Sequence, residues 1–206
     1  MNDFFSKYSN SVPLMAILRG FDTSRTVALC HRAWDCGVEL VEIPVQDPTA
    51  LEALRAAARA AADRGALIGA GTVTSPQRVH DARDAGALFT VAPGLDPEVV
   101  ACSREAGLPH LPGVATATDV HQALKLGQTW LKAFPADLLG VGWPRAMHGP
   151  FPEAKFVATG GVTPANAEAH LEGGAAMCSL GSALADDDQF ALLPGLVERL
   201  RRHRSA

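Results

Sequence analysis

The chain has 206 residues, enough to bury one sizeable core, and its 48% hydrophobic and 19% charged residues are ordinary for a globular domain. A formal net charge of -4 gives no basis for nucleic acid or an anionic membrane as partner. Cys30, Cys36, Cys102 and Cys178 form no C-x-x-C pair and the seven histidines are scattered, so neither disulfide staples nor a clustered metal site is expected. Residues 1–8 lack the basic start and apolar run of a signal peptide, and no stretch reaches the ~18 apolar residues of a membrane span. The expected location is the cytoplasm.

In chain order, short apolar runs fall at residues 14–18, 38–43, 67–70, 88–92, 110–111, 130–134, 155–158 and 177–180. Amphipathic, alanine-rich stretches lie between them, at 49–64, 76–85, 97–106, 117–126 and 164–171. Strand–helix alternation predicts parallel strands, because a parallel pair needs a crossover and a helix supplies it. Ser75-Pro76, Asp96-Pro97 and Thr163-Pro164 each set a capping residue before a proline suited to the first helical turn. Arg199, Arg201, Arg202, His203 and Arg204 read as a solvated, basic helix end. Eight units in residues 1–206 predict a single (β/α)8 barrel domain, with an open doubly wound sheet as the rival.

The residues that interrupt the apolar runs converge on one place. Arg19, Glu42, Gly71-Thr72, Pro93-Gly94, Pro112-Gly113, Lys132, Gly160-Gly161 and Gly181-Ser182 all fall toward strand C-terminal ends. In a barrel those ends share the mouth where active sites sit. Lys132 is a lone amine within Trp130-Leu131-Lys132-Ala133-Phe134. Desolvation disfavours its ammonium form, and the neutral amine can attack a ketone. Glu42 interrupts its run in the same way, and a carboxyl among apolar neighbours suits proton transfer near neutral pH. An ion pair with Arg19 or Lys132 is the structural alternative. The glycines after the last two strands free backbone N–H groups for an anion, as at many barrel phosphate sites. Phe134 and Pro93 offer an apolar wall, His110 reads as a core or rim residue, and Cys178 as core.

Seven stretches resemble the 2-keto-3-deoxy-6-phosphogluconate and -galactonate aldolases. They are Ala16-Ile17-Leu18-Arg19-Gly20, Val41-Glu42-Ile43-Pro44, Gly69-Ala70-Gly71-Thr72-Val73, Pro112-Gly113-Val114-Ala115-Thr116, Leu131-Lys132-Ala133-Phe134-Pro135, Thr159-Gly160-Gly161-Val162 and Leu180-Gly181-Ser182. The resemblance implies a Schiff-base lysine at Lys132 and an acid/base glutamate at Glu42. It implies a keto-acid site around Arg19 and Thr72, with Pro93 and Phe134 as its wall. Gly160, Gly161, Gly181 and Ser182 would cradle the phosphate. The family is typically homotrimeric and needs no cofactor or metal.

Gluconate-type enzymes typically carry an arginine four residues after the glutamate, where this chain has Gln46. The wording Glu-Ile-Pro and Pro-Gly-x-Ala-Thr-Ala-Thr resembles the galactonate type, whereas Thr159 resembles the gluconate side. The implied substrate is a phosphorylated keto-deoxy sugar acid, 2-dehydro-3-deoxy-6-phosphogalactonate or its gluconate epimer, cleaved to pyruvate and D-glyceraldehyde 3-phosphate. Two other readings stand beside it: a phosphate-binding barrel isomerase or epimerase that forms no imine, and a non-catalytic sugar-phosphate-binding barrel.

Overall fold

Alternating strands and helices order the chain. The computed structural model describes residues 4–205, with the backbone alone at 203–205. Residues 1–3 of the N-terminal reading and the side chains of His203 and Arg204 from the basic run lie outside the described residues. The strands are β1 (Leu14–Ile17), β2 (Leu40–Pro44), β3 (Leu67–Gly71), β4 (Thr90–Val91), β5 (His110–Leu111), β6 (Gly113–Val114), β7 (Trp130–Ala133), β8 (Lys155–Thr159) and β9 (Met177–Leu180). All pairings are parallel, in the order β5-β4-β3-β2-β1-β9-β8-β7-β6. The two ends of that order are successive pieces of one strand.

Pro112 divides them. Its nitrogen carries no hydrogen and cannot donate to a ladder. Before it, β5 pairs back to β4; after it, β6 pairs forward to β7, and the Pro112 carbonyl accepts from Lys132 N–H at 2.8 Å. The fifth strand thus hands the sheet from one neighbour to the other, and the fold is the (β/α)8 barrel. The open-sheet rival is excluded by that handover.

Helices α2 (Thr23–Asp35), α3 (Pro48–Arg64), α4 (Pro76–Asp84), α5 (Pro97–Glu105) and α6 (Ala117–Lys125) begin at Asp22, Asp47, Ser75, Asp96 and Thr116. Each of those side chains accepts a hydrogen bond from a backbone N–H of the first turn, worth about 1 kcal/mol per cap. Two expectations need correction. The helix expected from Pro164 starts at Ala167, as α9 (Ala167–Glu172), because the Asn166 side chain closes a turn by accepting from Thr163 N–H and donating to the Gly161 carbonyl. The run at 88–92 forms a regular strand only at Thr90–Val91, although Leu88, Phe89 and Ala92 also bond to neighbouring strands. Between β7 and β8 lie two short helices, α7 (Ala136–Leu139) and α8 (Trp143–His148); the chain ends in a 3-10 turn (Ser182–Ala185), α10 (Asp187–Ala191) and α11 (Leu193–Ser205).

Side-chain alternation sorts each strand into an inner and an outer face. Val41 and Ile43 pack outward against the helices, while Leu40 joins Met15, Phe89, Val91, Leu111, Trp130, Val157 and Met177 inside the barrel. Phe5 and Tyr8 from α1 (Phe4–Ser9) complete that inner cluster and close the N-terminal end. Ser6 bonds Trp130 Nε1 at 3.2 Å and Lys155 Nζ at 3.1 Å, fastening the plug. Among the described residues, no helix is long and apolar enough to cross a membrane.

Candidate active site

Glu42 and Lys132 stand one inner position above that apolar floor, because Leu40 and Trp130 precede them by two residues. They belong to β2 and β7, which face each other across the barrel, and Lys132 Nζ lies 3.9 Å from Glu42 Oε1. Both side chains are buried, at 5% and 1% exposure. Room for the carboxylate is made by Gly71: a Cβ there would sit 2.7 Å from Glu42 Oε1. The Phe134 ring forms a wall on the other side, its centroid 5.3 Å from Lys132 Nζ.

Burial dominates the electrostatics. It lifts the Glu42 carboxyl above its usual value, and the positive charges of Lys132 and then Arg19 pull it partly back. Burial also pushes the Lys132 amine below the usual lysine value; Glu42 opposes that shift and Arg19 reinforces it. Neither Glu42 oxygen has a hydrogen-bond partner among the described residues. The pair therefore holds a releasable proton between two groups poorly solvated as ions.

Arg19 follows β1, exposed at the rim, and donates from Nη2 to Thr72 Oγ1 at 3.4 Å. Thr72 has a φ of 58°, in the left-handed region, at a cost of about 1 kcal/mol or more for a β-branched residue. Pro93 and Phe134 border a groove of about 500 Å³ whose lining includes Pro97 at the α5 start and Asp119, Gln122 and Lys125 along α6. Thr159 ends β8 inside the barrel, buried, its hydroxyl bonded to the Val157 carbonyl. Gly160 and Gly161 follow with φ of 97° and 70°, and a Cβ on Gly161 would lie 2.5 Å from Asp137 Cβ. Gly181 and Ser182 start the 3-10 turn after β9, with Ser182 exposed. Gln46 is exposed in the β2–α3 loop, its carbonyl accepting from Arg78.

His110 does not face the mouth. It is buried on the outer side of β5, with Nδ1 2.8 Å from Thr90 Oγ1 and 3.5 Å from Ser103 Oγ on α5, and burial pushes it down to about 4. Cys178 is fully buried, as expected of a core residue. Arg78 was not legible as a mouth residue, since a helix-borne arginine after a serine cap reads as solvated surface.

Barrel and mouth together define the class, a (β/α)8-barrel enzyme with one open end. Residues 6–204 match the aldolase family described as KDPG and KHG aldolase. The 2-dehydro-3-deoxy-6-phosphogalactonate aldolase of Escherichia coli (strain K12) is 35% identical over 179 residues, spanning 86% of this chain and 87% of its own. The 2-dehydro-3-deoxy-phosphogluconate aldolase of Pseudoalteromonas atlantica is 32% identical over 177 residues, spanning 85% and 81%. A Legionella pneumophila KDPG aldolase, solved with pyruvate captured as a covalent carbinolamine, superposes with a TM-score of 0.82 at 27% identity, over 95% of this chain and 97% of its own. The chain belongs to the KDPG and KHG aldolase family, and its activity is that of a carbon–carbon lyase.

Proposed function

We propose that the protein cleaves 2-dehydro-3-deoxy-6-phosphogalactonate to pyruvate and D-glyceraldehyde 3-phosphate through a Schiff base on Lys132. The observation that carries this reading is the buried amine 3.9 Å from a buried carboxylate, the only ion pair of that kind among the described residues. Lys132 attacks the C2 ketone to give a carbinolamine, which loses water to form an iminium ion. Glu42 supplies and recovers the protons of those steps, and then takes the proton of the C4 hydroxyl. As the C3–C4 bond breaks, its electron pair passes to the iminium nitrogen, so an enamine forms in place of a carbanion. The aldehyde leaves, C3 is protonated, and water releases pyruvate from the amine.

Arg19 and Thr72 serve the carboxylate of the keto acid, and the phosphate rests on the backbone after β8 and β9, at Gly160, Gly161, Gly181 and Ser182. Phosphate binding so far from the reacting bond contributes orientation. Pyruvate captured covalently by the Legionella relative supports the imine. Gln46 supports the galactonate epimer. The gluconate epimer is the second reading, favoured by the name of the Pseudoalteromonas relative.

Borohydride with pyruvate should add a reduced adduct to Lys132, and Lys132→Met should abolish cleavage. A protein that cleaves substrate yet yields no adduct would defeat the Schiff base. A coupled lactate dehydrogenase assay on both 6-phospho epimers decides the substrate, and faster turnover of the gluconate form would overturn the galactonate assignment.

A further inference from the structure

Arg78 sits on α4, outside the proposed chemistry, yet its guanidinium holds two mouth loops together. Nη1 donates to Thr74 Oγ1 at 2.8 Å and to the Thr72 carbonyl at 3.3 Å, while Nη2 donates to the Gln46 carbonyl at 3.4 Å. Two of the three acceptors are backbone oxygens, so the contacts fix the path of the chain and not merely a rotamer. One of those loops follows β2, which carries Glu42; the other follows β3 and contains Thr72.

Thr72 is the residue that needs holding. Among the described residues it alone combines a side chain with a positive φ. Its flanks belong to different ladders: the Gly71 carbonyl accepts from Val45 N–H, and Val73 N–H donates to the Val91 carbonyl. The left-handed turn at Thr72 makes that change of partner, and it aims the hydroxyl at Arg19. Arg19 in turn is close enough to act on the charges of both Lys132 and Glu42.

We propose that Arg78 is a positioning residue for keto-acid recognition, locking Thr72 and the Gln46 carbonyl so that the Thr72 hydroxyl and the Arg19 guanidinium are set for the substrate carboxylate. The inference rests on the aldolase reading above. A guanidinium suits the task because its fork of fixed N–H directions satisfies several oxygens at once, whereas an ammonium reaches them as a single point. Released from the clamp, Thr72 relaxes toward ordinary backbone angles and its hydroxyl swings away from Arg19.

The test is borohydride trapping across pyruvate concentrations, read as adduct mass on Lys132. Arg78→Met should raise the half-saturating pyruvate concentration about 10-fold, the effect of losing a charged hydrogen bond, with the rate at saturation within about twofold. Arg78→Lys, which keeps charge and stem, should fall between the two, and it serves if the methionine variant does not fold. In a Thr72→Ala background the Arg78→Met change should add less than about twofold, because both act through one contact. An unmoved half-saturation in either Arg78 variant, or effects that multiply in the double variant, would overturn the clamp while leaving the aldolase reading intact. No adduct in the unaltered protein would bring down the Schiff-base reading, and the clamp with it.

Discussion

The buried Lys132–Glu42 pair should make the protein less stable than it could be, and replacing both members by neutral chains should raise its melting temperature. The perturbation is Lys132→Met combined with Glu42→Met. At the observed 3.9 Å, the attraction is about 4 kcal/mol at an effective dielectric near 20. Against it stands the desolvation of two buried ions, several kcal/mol each. Both Glu42 oxygens also go without hydrogen bonds among the described residues, a further loss of about 1–3 kcal/mol. The penalty exceeds the attraction, so the double replacement should stabilise by about 1–4 kcal/mol. For a chain of 206 residues that corresponds to roughly 2–10 °C. Calorimetry at pH 7, with guanidinium unfolding as a cross-check, reads the change. A double variant melting at or below the unaltered protein would refute the reasoning, because it would mean that the pair holds the barrel together.

Glu42→Gln removes the negative charge that keeps a proton on Lys132. The amine should then lose its proton at lower pH, moving the acid limb of pyruvate trapping to lower pH, while cleavage falls by at least ~100-fold from lost proton transfer; an unmoved limb counts against the coupling. His110 should make the protein acid-sensitive. Its folded value, pushed down to about 4, lies below its ordinary 6.5, so the unfolded chain binds the extra proton first, and about 3 kcal/mol of stability is lost as pH falls through that window. His110→Gln should flatten the dependence of the denaturation midpoint on pH; identical slopes would refute the assignment. Gly71→Ala should cut activity more than ~10-fold with little change in melting, since the new methyl meets the Glu42 carboxylate. Gly69→Ala, whose Cβ would lie 2.4 Å from the Phe89 ring, should instead cost about 1–3 kcal/mol of stability. Equal effects of the two alanines on melting would contradict this division.

What could be read in the sequence was what is locally incongruous. Lys132 and Glu42 each sit as one charge inside an apolar strand, and a single such strand is enough to raise the question of what neutralises it. The serine and aspartate caps at Ser75 and Asp96 likewise act within one helical turn. Arg78 was hidden because its partners, Thr72, Thr74 and Gln46, belong to loops that only the closed barrel brings together. The α1 plug escaped for the same reason: Phe5 is apolar in any helix, and only its place against Phe89 and Trp130 makes it a floor. Between β7 and β8, Gly140, Gly142, Pro144 and Gly149 break the helical period, so α7 and α8 left no pattern to follow. The change of partner across Pro112 depends on where two distant strands stand, and a proline signals only that pairing stops.

The α1 stopper leaves the barrel with one doorway. Under the proposed mechanism, the three-carbon fragment bonded to Lys132 occupies the inner berth, and the aldehyde sits between it and the exit. Departure is therefore sequential, aldehyde first and keto acid last, and in the condensing direction the keto acid must board first. Product-inhibition patterns report this directly: an aldehyde able to dock on the empty enzyme and block pyruvate competitively would show that the queue does not exist.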